Sequence, residues 1–360
     1  MHGRLAVLDE LRGLAITLLI LFHAGGVLVW NNYLHGDLGT CMFLGLSGLG
    51  LAYGAAHEPP RTFFRRRLLR IMPTYWIVLT AYIVCNQHFL QHDYSALNII
   101  AHYLGVHGFL GDAIGLAIND SFWFVTAFLV CYACFFALKP LLDRPEWLLV
   151  WAGALSTGVS FLLFFTGQAG LMGHFGFRFG SFFAGMLIGH AMRSGGLRLR
   201  LGVPLVAALL LFGYVPYTRG ITFISTFVSL SVVFGYCLWL RARLPAQVGK
   251  PVKAVLGFLG AHSLEIAILH LPLMRDYNYY LQGRWFNVAR PGAAMLILGM
   301  LAGLAVTLVL SVELRRLTKR MLGRENVAVE SNPVALVTVV AGRPATIAGK
   351  AKLEDAGERA

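Results

Sequence analysis

Long apolar runs dominate this chain, and short, mostly basic stretches separate them. Runs long enough to cross about 30 Å of hydrocarbon fall near residues 12–32, 38–56, 71–88, 121–142, 146–166, 173–192, 202–218, 220–240, 254–274 and 292–312. Segments of this kind are helical, because lipid offers backbone amides no partner outside their own chain. The connections 61–70, 139–144, 193–200, 241–253 and 315–324 are basic and alternate with basic-poor ones, which assigns them to the cytoplasm. The pattern predicts an all-α membrane protein, a bundle of about ten transmembrane helices with both termini cytoplasmic. Between the seventh and eighth runs only the tight turn 217–220 remains. Residues 1–322 form the expected membrane domain and 323–360 a poorly ordered cytoplasmic tail, whose apolar stretch 334–341 is too short to span.

Composition agrees. Of 360 residues, 57% are hydrophobic and 13% charged, and the mean hydropathy of +0.67 is far above that of a water-soluble domain. The net charge of +13 raises the question of nucleic acid, but its placement answers it: 25 of the 30 Lys and Arg fall in segments assigned to the cytoplasm. That is topology, not a phosphate-binding surface. The five cysteines lie in or beside apolar runs, so no disulfide framework is indicated, and Cys131-x-x-Cys134 reads as two small helix residues. The first run lacks a small-residue cleavage site and is expected to stay as a signal anchor.

Chemistry begins in the first run. Arg12 and His23 are eleven residues apart, so in a helix they share a face about 16 Å apart along the axis. An ionisable group at bilayer depth is costly and is read first as functional. The basic cluster 61–70 places Arg67 and Arg70 on one helical face. Alone it is a topogenic cluster; together with Arg12 at the same membrane face it makes a guanidinium clamp for a phosphorylated cytosolic molecule. The outer connection 87–119 carries several histidines and has room for a short interfacial or re-entrant helix. His88 and His92 beside Asp93 are either ordinary loop residues or part of a metal site, with no third ligand placed. The outer connection 275–292 is rich in Tyr, Trp and Asn, a rim that anchors at the interface or stacks on sugars.

The chain resembles the acyltransferase 3 family of membrane-embedded enzymes, which acylate sugars of cell-surface glycans. Five pieces carry the resemblance, over about residues 5–320: Leu8-Asp-Glu-Leu-Arg-Gly13 with the Arg12–His23 spacing; Phe43-Leu-Gly-Leu-Ser-Gly48; Arg67-x-x-Arg70 followed by Ile71-x-Pro73-x-Tyr75-Trp76; Trp123-Phe-Val; and the segment from Ser263 to His270-Leu-Pro272. The resemblance implies an acyl-CoA donor, acetyl-CoA as co-substrate, delivered from the cytoplasm of an inner (plasma) membrane. It also implies an essential His23, with Arg12, Arg67 and Arg70 on the nucleotide phosphates. A neutral His23 would take the proton of an attacking sugar hydroxyl; a covalent acyl-histidine is a second route. Relatives often carry a glutamate five residues beyond the tryptophan, where this chain has Phe128.

Counting depth along the ninth run puts Glu265 near the level of His23, either orienting its imidazole or pairing with His262. The same count puts His270 about one turn further out, level with Arg178. His270 is a further catalytic candidate, and Arg178, Ser47 and Trp123 are candidate acceptor-site residues, Ser47 also being a small helix-packing residue between Gly45 and Gly48. The expected activity is transfer of an acetyl group to a hydroxyl of an exopolysaccharide, lipopolysaccharide or periplasmic glycan, the acceptor being a carbohydrate or lipid-linked oligosaccharide. The rivals are succinyl transfer to a glucan, which needs another cation near His23, and a transporter or flippase using the buried charges as a pathway.

Overall fold

The computed structural model describes residues 6–29, 37–119, 121–143, 179–194, 243–277 and 292–322. The fifth, seventh and eighth apolar runs, Arg178 and the tail lie outside the described residues. Among the described residues every regular element is helical. Three helices among the described residues are long and apolar enough to cross a membrane, Pro60–Phe89, Trp123–Asp143 and Ala294–Leu322, and a bent pair makes a fourth if counted as one span.

Helix α1 (Ala6–Val29) carries Arg12 and His23, and α2 (Asp37–Gly54) packs beside it. Helix α3 (Pro60–Phe89) starts eleven residues before the apolar run of 71–88, with Pro60 in its first turn. Proline is tolerated there because its missing N–H has no intrahelical partner anyway. The basic cluster is therefore helical, and Arg67 and Arg70 ride on the same rod as the buried Tyr75 and Tyr82. The main core lies where α3, helix α6 (Trp123–Leu138) and helix α7 (Phe179–Ser194) meet, around the fully buried Phe63, Tyr75, Phe122, Phe135 and Phe182.

Between α3 and α6 the chain turns back into the protein. Helix α4 (Ala96–Leu104) is capped by Ser95 and ends at Gly105, whose φ of 70° is left-handed, and the single turn α5 (Asp112–Gly115) follows it. Trp76 Nε1–H donates to the Tyr103 carbonyl at 2.8 Å, so the hairpin returns some thirteen residues down α3, about 20 Å. Thr126 of α6 pins its tip, donating to the Gly105 carbonyl at 2.8 Å and accepting from Gly108 N–H at 3.3 Å. The 87–119 connection thus folds back along α3. Two of its histidines, His102 and His107, are fully buried and stack with ring centroids 4.0 Å apart.

Helices α2 and α7 approach through glycine. A Cβ on Gly185 would overlap the Gly45 carbonyl, and one on Gly48 the Phe182 carbonyl. Helix α8 (Ala246–Ala261) meets α1 in the same way, Gly260 against the Asp9 carbonyl and Gly13 against Leu256. Small residues allow such backbone approach, which is what holds helices together in lipid. We expect Gly185→Val to destabilise the protein by about 1–3 kcal/mol, the usual cost of overpacking, read as a lower thermal unfolding midpoint in detergent. Gly257→Ala, where an added Cβ meets nothing within 4 Å, serves as the neutral comparison.

Helix α8 breaks at His262 and resumes as α9 (Ser263–Leu271) after a bend of 73°. The chain then enters a π turn, Pro272–Asp276. Helix α10 (Ala293–Leu322) closes the described part, packing along α9 and the π turn and carrying Arg315 and Arg316 in continuous helix.

Candidate functional site

Helices α1 and α9 bring two imidazoles together. His23 Nδ1 lies 2.8 Å from His270 Nε2, with ring centroids 4.9 Å apart. The other nitrogen of His270, Nδ1, lies 3.0 Å from the Ile266 carbonyl and 3.1 Å from that of Ala267. A carbonyl only accepts, so the bonding assigns the proton of His270 to Nδ1 and leaves its Nε2 as an acceptor. His23 must then donate from Nδ1, which leaves His23 Nε2 with a lone pair. His270 is fully buried and His23 half-buried. The pair is fixed as a donor, an acceptor and one remaining basic nitrogen.

About 16 Å along α1 lies the arginine end. Arg12 Nη1 donates to Asp9 Oδ1 at 3.1 Å. Arg12, Arg67 and Arg70, from two helices, all lie within electrostatic range of the buried Tyr132 hydroxyl on α6. Arg67 is further seated over the Phe63 ring, 5.7 Å from its centroid. From Tyr132 an aromatic column climbs α6 through Phe128 to Phe124. Phe124 packs against the cluster of Ile16, Ile266 and Ala267, beside Leu19, Ile20 and Phe43. An apolar wall therefore runs from the arginines toward the histidines.

On the far side of the histidines lies a polar network. Asp276 Oδ2 accepts from the Tyr82 hydroxyl at 2.7 Å and from Asn119 Nδ2 at 3.2 Å, and its Oδ1 accepts from Arg275 Nε at 2.6 Å. Asn86 donates to the Tyr94 hydroxyl and accepts from that of Tyr277. Burial raises the phenols of both Tyr94 and Tyr277 above the usual tyrosine value, so they stay protonated at neutral pH and remain donors.

The described helices thus set a cluster of arginines and a pair of imidazoles at two ends of one apolar wall. The family model for an acyltransferase domain, acyltransferase 3, matches residues 5–316. The chain belongs to the acyltransferase 3 family. It is an acyltransferase of the membrane-associated type. No curated protein and no solved structure matches it.

In this acyltransferase 3 chain the structure groups Arg12, Arg67 and Arg70 at one end and joins His23 to His270. Glu265 is placed differently from the depth count. The charges that act on it are those of Arg315, His262 and Arg70, and its Oε2 is buried without a hydrogen-bond partner. The nitrogen of His23 that Glu265 would orient is taken by His270. The reason is the bend at His262: a uniform rise per residue does not carry across 73°, so His270 reaches His23 while Glu265 sits with the arginines. Trp123 is half-buried at the start of α6, packed on the main core, and Ser47 is half-buried on α2, where Gly45 and Gly48 make the contact with α7. His88 meets the Phe89 ring edge-on, as His92 does that of Tyr94; among the described residues no group of three or more His, Cys, Asp or Glu is arranged to hold a metal. Sequence reasoning did not single out Asp9, Tyr132, Arg315 or the Tyr82–Asn119–Asp276 network. The one signal available was the adjacent Arg275-Asp276 pair closing an apolar run just after His270-Leu-Pro272.

Proposed function

We propose that this chain moves an acetyl group from acetyl-CoA to a hydroxyl of a sugar in an exopolysaccharide, lipopolysaccharide or periplasmic glycan, at the inner membrane, with His23 as the base. The contact between His23 and His270 carries this reading. It leaves His23 Nε2 as a fixed lone pair, and a general base must offer one within reach of the proton it takes. The arginines suit the nucleotide phosphates of the donor, because guanidinium groups bind phosphate bidentately. The apolar wall between the two ends suits the pantetheine arm, which spans a distance of this order. His270 is a positioning residue: it accepts the His23 N–H and so sets the tautomer, as second-layer partners of catalytic histidines do.

The test is transfer of radiolabelled acetyl from acetyl-CoA to a glycan acceptor by purified protein in nanodiscs. Acetyl-CoA-dependent labelling of the acceptor supports the reading, and its absence with every glycan fraction of the producing cell overturns it. For His270→Phe we expect a rate lower by about 10²-fold, within the usual contribution of a positioned base, with donor affinity unchanged. His270→Gln should recover part of that loss, since its amide oxygen can still accept the His23 N–H. Equal rates for the two variants would remove the positioning role.

A further inference from the structure

The segment after His270 departs from α-helix. Pro272 supplies no N–H, which interrupts the helical ladder, and the chain forms the π turn Pro272–Asp276, closed by the Tyr277 N–H on the Pro272 carbonyl. In a regular helix residue 275 would sit about 140° around from residue 270. A π turn closes over five residues instead of four, which returns Arg275 toward the face that His270 presents to His23. Single π turns inside α-helices occur often at functional sites.

The direction of Arg275 is fixed by its neighbour. Its Nε donates to Asp276 Oδ1 at 2.6 Å. The other carboxylate oxygen is held by Tyr82 from α3 and by Asn119, and Asn119 is tied in turn by the Ser121 N–H on its Oδ1 at 2.8 Å. Tyr82, Asn119 and Ser121 are all buried. The carboxylate therefore cannot swing without breaking bonds to two other segments. The Arg275 charge is within electrostatic range of the His23 ring.

We propose that Arg275 is a catalytic residue of the transfer, holding its guanidinium at the carbonyl oxygen of the acyl group, with Asp276, Tyr82 and Asn119 positioning it. This assignment rests on the acyl-CoA reading above. The acceptor hydroxyl oxygen bonds to the thioester carbonyl carbon while its proton passes to His23 Nε2. The carbonyl electron pair moves onto its oxygen, beside Arg275. When the C=O re-forms, the C–S bond breaks, and the departing thiolate takes the proton from His23 to leave as CoA thiol. A preorganised cation at that oxygen lowers the barrier because it need not reorganise as charge develops. The donor's phosphates are held at the opposite end, so donor affinity does not depend on this arginine.

The experiment compares full-length wild type, Arg275→Ala, Arg275→Lys and Asp276→Asn in nanodiscs, measuring the acetyl-CoA dissociation constant and the transfer rate separately. Arg275→Ala should lower kcat by about 10²–10³-fold, as loss of one oxyanion donor does, with the dissociation constant unchanged. Added guanidinium ion should restore part of that rate where the same concentration of sodium chloride does not. Asp276→Asn keeps the shape but replaces one of the two accepting oxygens by an NH2 donor and loses the charge that aims the guanidinium, so it should lower kcat by a smaller factor than Arg275→Ala, with thermal unfolding measured alongside. Arg275→Ala turning over like wild type, or losing donor affinity in proportion to rate with no rescue, overturns the assignment. A wild type that neither binds acetyl-CoA nor transfers brings down the acyl-CoA reading and this assignment with it. An active wild type with an equally active Arg275→Ala removes Arg275 alone.

Discussion

His23→Ala is expected to lose acyl transfer by about 10²–10⁴-fold, the range for removal of a positioned general base, while still binding acetyl-CoA like wild type. The separation of the two effects follows from the geometry. His23 stands about 16 Å along α1 from Arg12, so nothing that holds the nucleotide touches the imidazole. His23→Gln sharpens the test. It can keep a hydrogen bond toward His270 Nε2, which lies 2.8 Å from His23 Nδ1, but has no basic nitrogen, so a loss as large as that of alanine assigns the effect to proton transfer rather than packing. Mass measurement of wild type incubated with acetyl-CoA and no acceptor separates the two chemical routes. An added acetyl group on His23 indicates a covalent intermediate, and an unmodified chain indicates direct attack.

The paired change Arg67→Ala with Arg70→Ala should have the opposite signature: donor affinity falls and turnover at saturating donor is largely kept. Hydrogen bonds to charged groups are worth about 1.5–3 kcal/mol each, so losing two guanidinium groups weakens binding by about 10²-fold or more. Calorimetric titration with acetyl-CoA and with CoA reads this directly. Both ligands should weaken together, because in the proposed arrangement the arginines address the phosphates and not the acyl group. Lysine at both positions should recover only part of the affinity, since an ammonium does not reproduce the planar fork. Each side chain sits on the helix that also buries Tyr75 and Tyr82, so comparing thermal unfolding of the variants separates lost contacts from lost fold.

The parts legible in the sequence are those that periodicity controls within one unbroken helix. Arg12 and His23 share a helix, so their spacing alone fixed their relation. Arg67 and Arg70 likewise needed only helical geometry, and their helix continues the apolar run that follows. The partner of His23 was not legible, because it depends on a 73° bend at His262 and on how α9 then meets α1. Local propensity does not encode such an angle; packing of α10 and α1 around the break does. Helix α4 has too few residues to span and gives no signal of its direction relative to α3. Its course is set by Thr126 and Trp76, distant in sequence. Arg275 was placed by composition in an outer rim, and only the π turn carries it back toward the histidines.

The most direct measurement is equilibrium binding of acetyl-CoA to the purified wild-type protein in nanodiscs, with competition by CoA. We expect saturable binding, displaced by CoA and weakened by raised salt, as contacts between guanidinium and phosphate require. The same binding should survive in His23→Ala and be weakened by about 10²-fold or more in the Arg67, Arg70 double variant. Absence of saturable binding by wild type would remove the donor from the arginine end, and with it the role of His23 as the base of an acyl-CoA reaction; the buried charges would then be those of a transport pathway.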